Sequence, residues 1–229
     1  MECSLQRIDE GGSLDSLGDF TGLRKRQRTP IQSAVDETLR ARLATLCAEG
    51  WALWDQFSTE VREQRFHPFV AADYELVLAA LLPHRMPGRR FLEWGSATGV
   101  IAIMADLLGF DAYGIELDSS LVAQAKTLAN RFDSEAKFAT GSFLPAGYRM
   151  PSTDGDGRTG TLGVGPSGYL VLGKSLDDFD VVFGYPWDGE ESMMLDLMAK
   201  YGRPDALLLV NSVSEGVKEY RGGRRVNRA

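Results

Sequence analysis

The stretch that most constrains the fold is Arg90-Phe91-Leu92-Glu93-Trp94 running into Gly95-Ser96-Ala97-Thr98-Gly99, followed by an apolar run over residues 100–108. A short apolar segment that passes through small residues into a longer apolar run predicts a strand turning sharply into a helix. Small residues at the turn let the backbone bend and approach a ligand closely. The next strand, Ala112-Tyr113-Gly114-Ile115-Glu116, ends on a carboxylate. Its place, about 20 residues on, is where the ribose hydroxyls of a bound nucleotide lie, and a carboxylate there accepts two hydrogen bonds from the diol.

The alternation continues. Asp118 is placed to cap a helix reaching Arg131 that buries Leu121, Val122, Ala125 and Leu128, and a strand is expected over 136–140. Phe179-Asp180-Val181-Val182-Phe183 reads as a buried strand, 193–200 as a helix, 206–210 as a buried strand and 216–220 as a last short one. Strand–helix alternation with continuously apolar strands predicts an α/β fold, a Rossmann-like, mostly parallel sheet with helices on both faces. Ligands of such sheets bind at the carboxyl ends of the strands, where the strand order reverses.

An N-terminal helical segment precedes this domain. Residues 1–33 carry Gly and Ser at irregular spacing and the run Arg24-Lys25-Arg26-Gln27-Arg28, and read as a solvated tail. Residues 34–86 read as a helical cap of three helices. The first carries Val35, Leu39, Leu43 and Leu46 and stops at Gly50; the second carries Trp51, Trp54, Phe57 and Val61. The third follows Phe66-His67-Pro68-Phe69, carries Val70, Tyr74, Val77, Leu78 and Leu81, and ends near Pro83. Residues 87–222 form the cofactor-binding domain, with a Gly-, Pro-, Ser- and Asp-rich insertion over 144–176 of the kind that serves as a lid or substrate wall. Residues 223–229 read as a basic tail.

The turn discriminates between nucleotides. A dinucleotide fingerprint has the form G-x-G-x-x-G; here Ala97 replaces the second Gly and Val100 stands where the third is required. Small residues fall at 95, 97 and 99, with Glu93 two places before the first. This spacing resembles motif I, E/D-x-G-x-G-x-G, of the class I S-adenosylmethionine-dependent methyltransferases, a resemblance covering roughly residues 88 to 212. It implies that Glu93, Trp94, Gly95, Ser96, Ala97, Thr98 and Gly99 hold the methionine and adenosyl parts of S-adenosyl-L-methionine, with Glu93 near the methionine amino group and Glu116 on the ribose. Leu117 and Asp118 would lie beside the adenine, with Ser142 placed to hydrogen-bond the base and Phe143 to flank it. In the same family the end of the fourth strand faces the transferred methyl, and amino-directed members carry N/D-P-P-Y/F/W there. Gly184-Tyr185-Pro186-Trp187 matches the last two positions and departs from the first two, so the amine-binding side chain of that motif is missing.

Composition narrows the function. Of 229 residues 44% are hydrophobic, enough for one sizeable core, and the formal net charge of −7 argues against a general nucleic-acid or membrane-surface binder. The two Cys give neither a disulfide framework nor zinc spacing, no metal site is expected, and the absence of a secretory h-region and of any long apolar run points to the cytoplasm. The expected function is methyl transfer from S-adenosylmethionine to an unidentified small-molecule acceptor. The rivals are a non-catalytic cofactor-binding or interaction module, which Gly184 favours, and an NAD-dependent oxidoreductase, which the glycine spacing disfavours.

Overall fold

In a computed structural model, residues 35–64, 67–149, 165–187 and 189–226 are described; the expected tail over 1–33 and the middle of the insertion lie outside them. The side chain of Asp36 accepts from the Leu39 N–H and starts helix α1, Glu37–Phe57, which continues into a π-helical turn, Ser58–Arg62. Gly50 does not stop this helix. It is buried in mid-helix, and a Cβ there would stand 2.8 Å from Tyr74 and from Val100, so the glycine lets α1 press against its neighbours. The third expected helix begins later than its apolar pattern. Asp73 caps Glu75 and Leu76, giving α2 over Tyr74–Leu81, and a 3-10 turn, Leu82–His84, holds Pro83.

The sheet follows as β1 (Arg90–Trp94), α3 (Val100–Leu107), β2 (Asp111–Glu116), α4 (Ser119–Arg131), β3 (Lys137–Thr140), α5 (Gly168–Leu172), β4 (Val181–Gly184), α6 (Glu191–Tyr201), β5 (Leu207–Ser212), β6 (Gly216–Arg221) and β7 (Arg224–Arg225). Among the described residues it has seven strands in the order β3-β2-β1-β4-β5-β6-β7. β1 to β5 pair in parallel, whereas β6 and β7 are antiparallel additions at one edge. A turn joins β5 to β6 directly, and β7 forms at the start of the stretch expected as a basic tail. The strand order reverses between β1 and β4, so the topological switch point lies between the turn after β1 and the loop after β4.

Alternation along β1 assigns the two faces. Phe91 enters a core with Leu43, Leu46, Val77, Leu81, Ile103 and Leu128, from α1 to α4. Leu92 and Trp94 enter a second core with Tyr169, Leu176, Phe179, Met194 and Leu197. The cap helices thus share one core with the sheet, and fully burying each such side chain contributes about 1.5–3 kcal/mol. Part of the expected insertion is ordered into this fold: residues 166–168 run beside Ser142, with Ser142 N–H donating to Pro166 O and Gly168 N–H to Ser142 O, both at 2.8 Å.

Candidate functional site

Gly95, Ala97 and Gly99 all adopt positive φ, at +67°, +44° and +77°. In this left-handed region glycine carries no steric penalty and alanine a modest one, so the small residues are demanded by the turn itself. Gly99 has a second constraint: a Cβ would stand 2.6 Å from the Phe138 ring and 2.8 Å from Ala125. Its absence lets α3 start directly beside β3 and α4.

The acid after β2 closes the turn. One Glu116 carboxylate oxygen accepts from the Ala97 N–H and the other from the Asp118 N–H, each at 2.9 Å. The carboxylate keeps acceptor capacity beyond these bonds for a ligand hydroxyl. Burial pushes the Glu116 carboxyl up, while the N–H groups of Asp118, Ala97 and Leu117 and the nearby His67 favour its charged form. Leu117 is exposed beside it, and a Cβ on Gly165 would stand 3.0 Å from the Leu117 side chain, so the ordered end of the insertion borders this region.

Glu93 lies beneath the start of α3, fully enclosed, and accepts from the Ala102 N–H at 2.9 Å. Burial raises its carboxyl well above the ordinary range, against the Ala102 hydrogen bond and reinforced by the charge of Glu116. The hydroxyl of Ser96 is buried and has no hydrogen-bond partner. Glu93, Ser96 and the rest of residues 93–98 line a cavity of about 40 Å³, together with Phe69, Val70, Ala71, Ala72 and Tyr74 from the cap and Phe183 and Tyr185 from the β4 end.

Other expected residues are placed differently from the turn. The Trp94 indole belongs to the opposite face, donating to the Tyr169 hydroxyl at 2.8 Å and stacking on Phe143 with centroids 5.4 Å apart. Phe143 is therefore a core ring, and Ser142 is buried, its hydroxyl accepting from the Leu144 N–H. At the β4 end, Gly184 is fixed by packing. A Cβ there would meet Met194 Sδ at 2.6 Å and Trp94 at 3.4 Å, which accounts for the missing polar side chain of the fourth-strand motif. Tyr185, Pro186 and Trp187 are half-buried. The Trp187 backbone N–H donates to the Glu190 carboxylate at 2.9 Å, and its indole N–H donates to Pro68 O at 3.1 Å.

The cap contribution was not legible as a site. Phe69, Val70, Ala71, Ala72 and Tyr74 look like ordinary helix and core residues in sequence, and only the tertiary fold lays them over the turn. His67 stands at the rim, with Nδ1 accepting from the Phe69 N–H and Nε2 3.4 Å from Asp118. Among the described residues no cluster of His, Cys, Asp and Glu has the makings of a metal site, and no helix is long and apolar enough to cross a membrane.

No family model matches the chain. Over 71 residues it is 39% identical to the ribosomal protein L11 methyltransferase of Thermus thermophilus, a stretch that makes up 31% of this chain and 28% of that protein. Among solved structures, an S-adenosylmethionine-dependent methyltransferase from Geobacter sulfurreducens, in complex with S-adenosyl-L-homocysteine, is 20% identical with a TM-score of 0.43, over 68% of this chain and 52% of that one. One from Thiobacillus denitrificans, with the same ligand, is 21% identical with a TM-score of 0.42, over 70% and 54%. The chain spans about half the length of these two structures. The sheet order, the small-residue turn after β1 and the acid ending β2 together give this chain a Rossmann-like architecture.

Proposed function

We propose that this protein is an S-adenosylmethionine-dependent methyltransferase acting on a small-molecule acceptor. The observation that carries the reading is the closure of the turn by Glu116. Both carboxylate oxygens are oriented by backbone N–H groups, at Ala97 and Asp118, and the carboxylate retains acceptor capacity beside the turn. The residue set fits the cofactor in one further respect: Glu93, whose carboxylate is a natural counter-charge for an amino group, lines the cavity beside Ser96.

S-adenosylmethionine supplies a methyl group already activated on a sulfonium. The work left to this chain is to bind, orient and exclude water. In this reading Glu116 holds the ribose hydroxyls, the backbone of residues 95–99 lies along the ligand, and Glu93 takes the methionine amino group. Leu117 flanks the base; Ser142 is held behind it, with Phe143 bracing Trp94 from the core side. On the acceptor side Tyr185, Pro186 and Trp187 form an apolar wall after Gly184, which favours a flat acceptor of modest size. The acidic balance of the chain agrees with an acceptor other than nucleic acid.

Calorimetric titration with S-adenosylhomocysteine and with NAD tests the cofactor. The expected result is binding of the first alone, weakened in Glu116→Gln by the loss of a charge-assisted hydrogen bond, about 1.5–3 kcal/mol. NAD binding, or unchanged affinity in the variant, would remove the assignment. Methyl transfer from labelled cofactor into a metabolite extract then separates an enzyme from a binding module.

A further inference from the structure

The cap does more than cover the core. Residues 67–73 cross the mouth of the cleft before Asp73 caps α2, and Phe69 to Ala72 form one wall of the cavity whose other wall is Glu93 and the turn. That cavity measures about 40 Å³, whereas pockets for ligands of cofactor size run to about 300–1,000 Å³. A nucleoside-sized ligand does not fit within this cavity as it stands, and an outward movement of the crossing segment would make room for it beside Gly95.

The segment is tied at two points, each on a different half of the site. His67 pairs with Asp118 at 3.4 Å, two residues beyond the ribose acid Glu116. Pro68 O accepts the Trp187 indole N–H at 3.1 Å, at the end of the acceptor loop. Behind the ties lies a ring cluster in which Phe69 packs on Trp54 and on Phe57, with centroids 5.1 Å apart in both pairs, and His67 packs on Phe57 at 4.9 Å. Both ties are half-buried and polar, the kind of contact that opens without unfolding a core.

We propose that residues 67–73 are a strap that closes over the cofactor cleft, and that Trp187 is the positioning residue that latches this strap to the acceptor loop. The identity of the cleft's ligand rests on the reading above; the strap does not. Closure brings the cover of the cofactor and the wall of the acceptor together, so the acceptor loop reaches its ordered position when the cleft is shut. Trp187 acts through the strap in this respect, by its N–H and not by its ring alone.

Hydrogen exchange on the unliganded protein tests this with two conservative variants. Trp187→Phe keeps a ring and removes the donor. Asp118→Asn weakens the other tie and retains an N-cap side chain for α4. A net hydrogen bond of about 0.5–1.5 kcal/mol corresponds to roughly twofold to twelvefold faster opening. The expected result is acceleration of that size at the amides of 69–72 in each variant, with β1 and β4 amides unchanged. Stopped-flow binding of S-adenosylhomocysteine should accelerate by a similar factor in Trp187→Phe. Unchanged exchange at 69–72, or acceleration shared equally with β1, overturns the strap, because a merely structural tryptophan loosens everything or nothing. If the wild-type protein fails to bind S-adenosylhomocysteine, the cofactor assignment falls, and the exchange result still decides the strap.

Discussion

The turn after β1 and the loop after β4 end adjacent strands and flank the same cleft, yet they are built by opposite means. The turn is a backbone object: three positive φ values at 95, 97 and 99, and a carboxylate from the next strand end that binds its Ala97 N–H. The loop is a side-chain object. Gly184 is dictated by Met194 and Trp94, and Trp187 is set by Glu190 and by a carbonyl of the cap. A backbone device leaves a signature in the residues that form it. A device made of distant contacts does not.

The largest expected effect breaks the backbone device. Gly95→Val places a β-branched residue at φ +67°, a conformation such residues adopt only under strain. It is expected to abolish S-adenosylhomocysteine binding in calorimetry. Ala97→Gly is the counterpart: at φ +44° glycine relieves a left-handed penalty of about 1–2 kcal/mol, so affinity should persist and melting temperature should hold or rise. Normal binding by Gly95→Val would mean that the turn is a packing corner and no ligand cradle.

A smaller effect separates two tryptophans. Trp94, 1% exposed, is core, and its truncation to Ala should cost about 3–5 kcal/mol in denaturant unfolding. Trp187 is half-buried and latches the cap. Trp187→Ala should therefore lower stability less than Trp94→Ala, leave equilibrium affinity for S-adenosylhomocysteine within a few-fold, and lose most turnover once an acceptor is known. Equal destabilisation by the two truncations would move Trp187 into the core and take it from the acceptor wall.

The same contrast explains what the sequence made legible. The strand–turn–helix at residues 90–108, the acid at 116 and the parallel order of the central strands follow from local pattern, because apolar period, small residues and capping act within a few positions. Gly50 misled as a stop signal because a glycine that permits helices to touch looks like one that ends them; the difference lies in Tyr74 and Val100, far along the chain. Phe143 was expected beside the ligand from its place after β3, whereas its ring is claimed by Trp94 on the other face. The wall from Phe69 to Ala72 had no sequence signal at all, since nothing local records which turn a cap segment will cross.

The smallest effect concerns Glu93, where backbone signature and buried charge meet. The folded protein holds this carboxyl above its ordinary value of 4.5, first through burial and further through Glu116, against the Ala102 N–H. Tyr74 also faces it, its own hydroxyl pushed up by burial and by the Glu93 charge. A group with a raised folded-state value binds its proton more tightly folded than unfolded. Its contribution to stability is complete below 4.5 and is lost as pH climbs from there toward the folded value. Asp118 has the opposite sign: despite burial, its hydrogen bonds from Ser120 and Leu121 and the nearby His67 hold it low, so its contribution is present above the ordinary 3.8 and is lost on acidification. Asp118 is common to wild type and Glu93→Gln, so the difference between the two isolates Glu93. Gln can still accept from the Ala102 N–H and carries no charge to desolvate. Melting temperatures from pH 4.5 to 8 should therefore diverge, the variant gaining on the wild type as pH rises, while its affinity for an amino-bearing ligand falls at neutral pH. Parallel melting curves would mean that Glu93 holds its proton no more tightly folded than unfolded, which overturns the raised carboxyl, and unchanged affinity of Glu93→Gln for an amino-bearing ligand would overturn the ammonium-binding role.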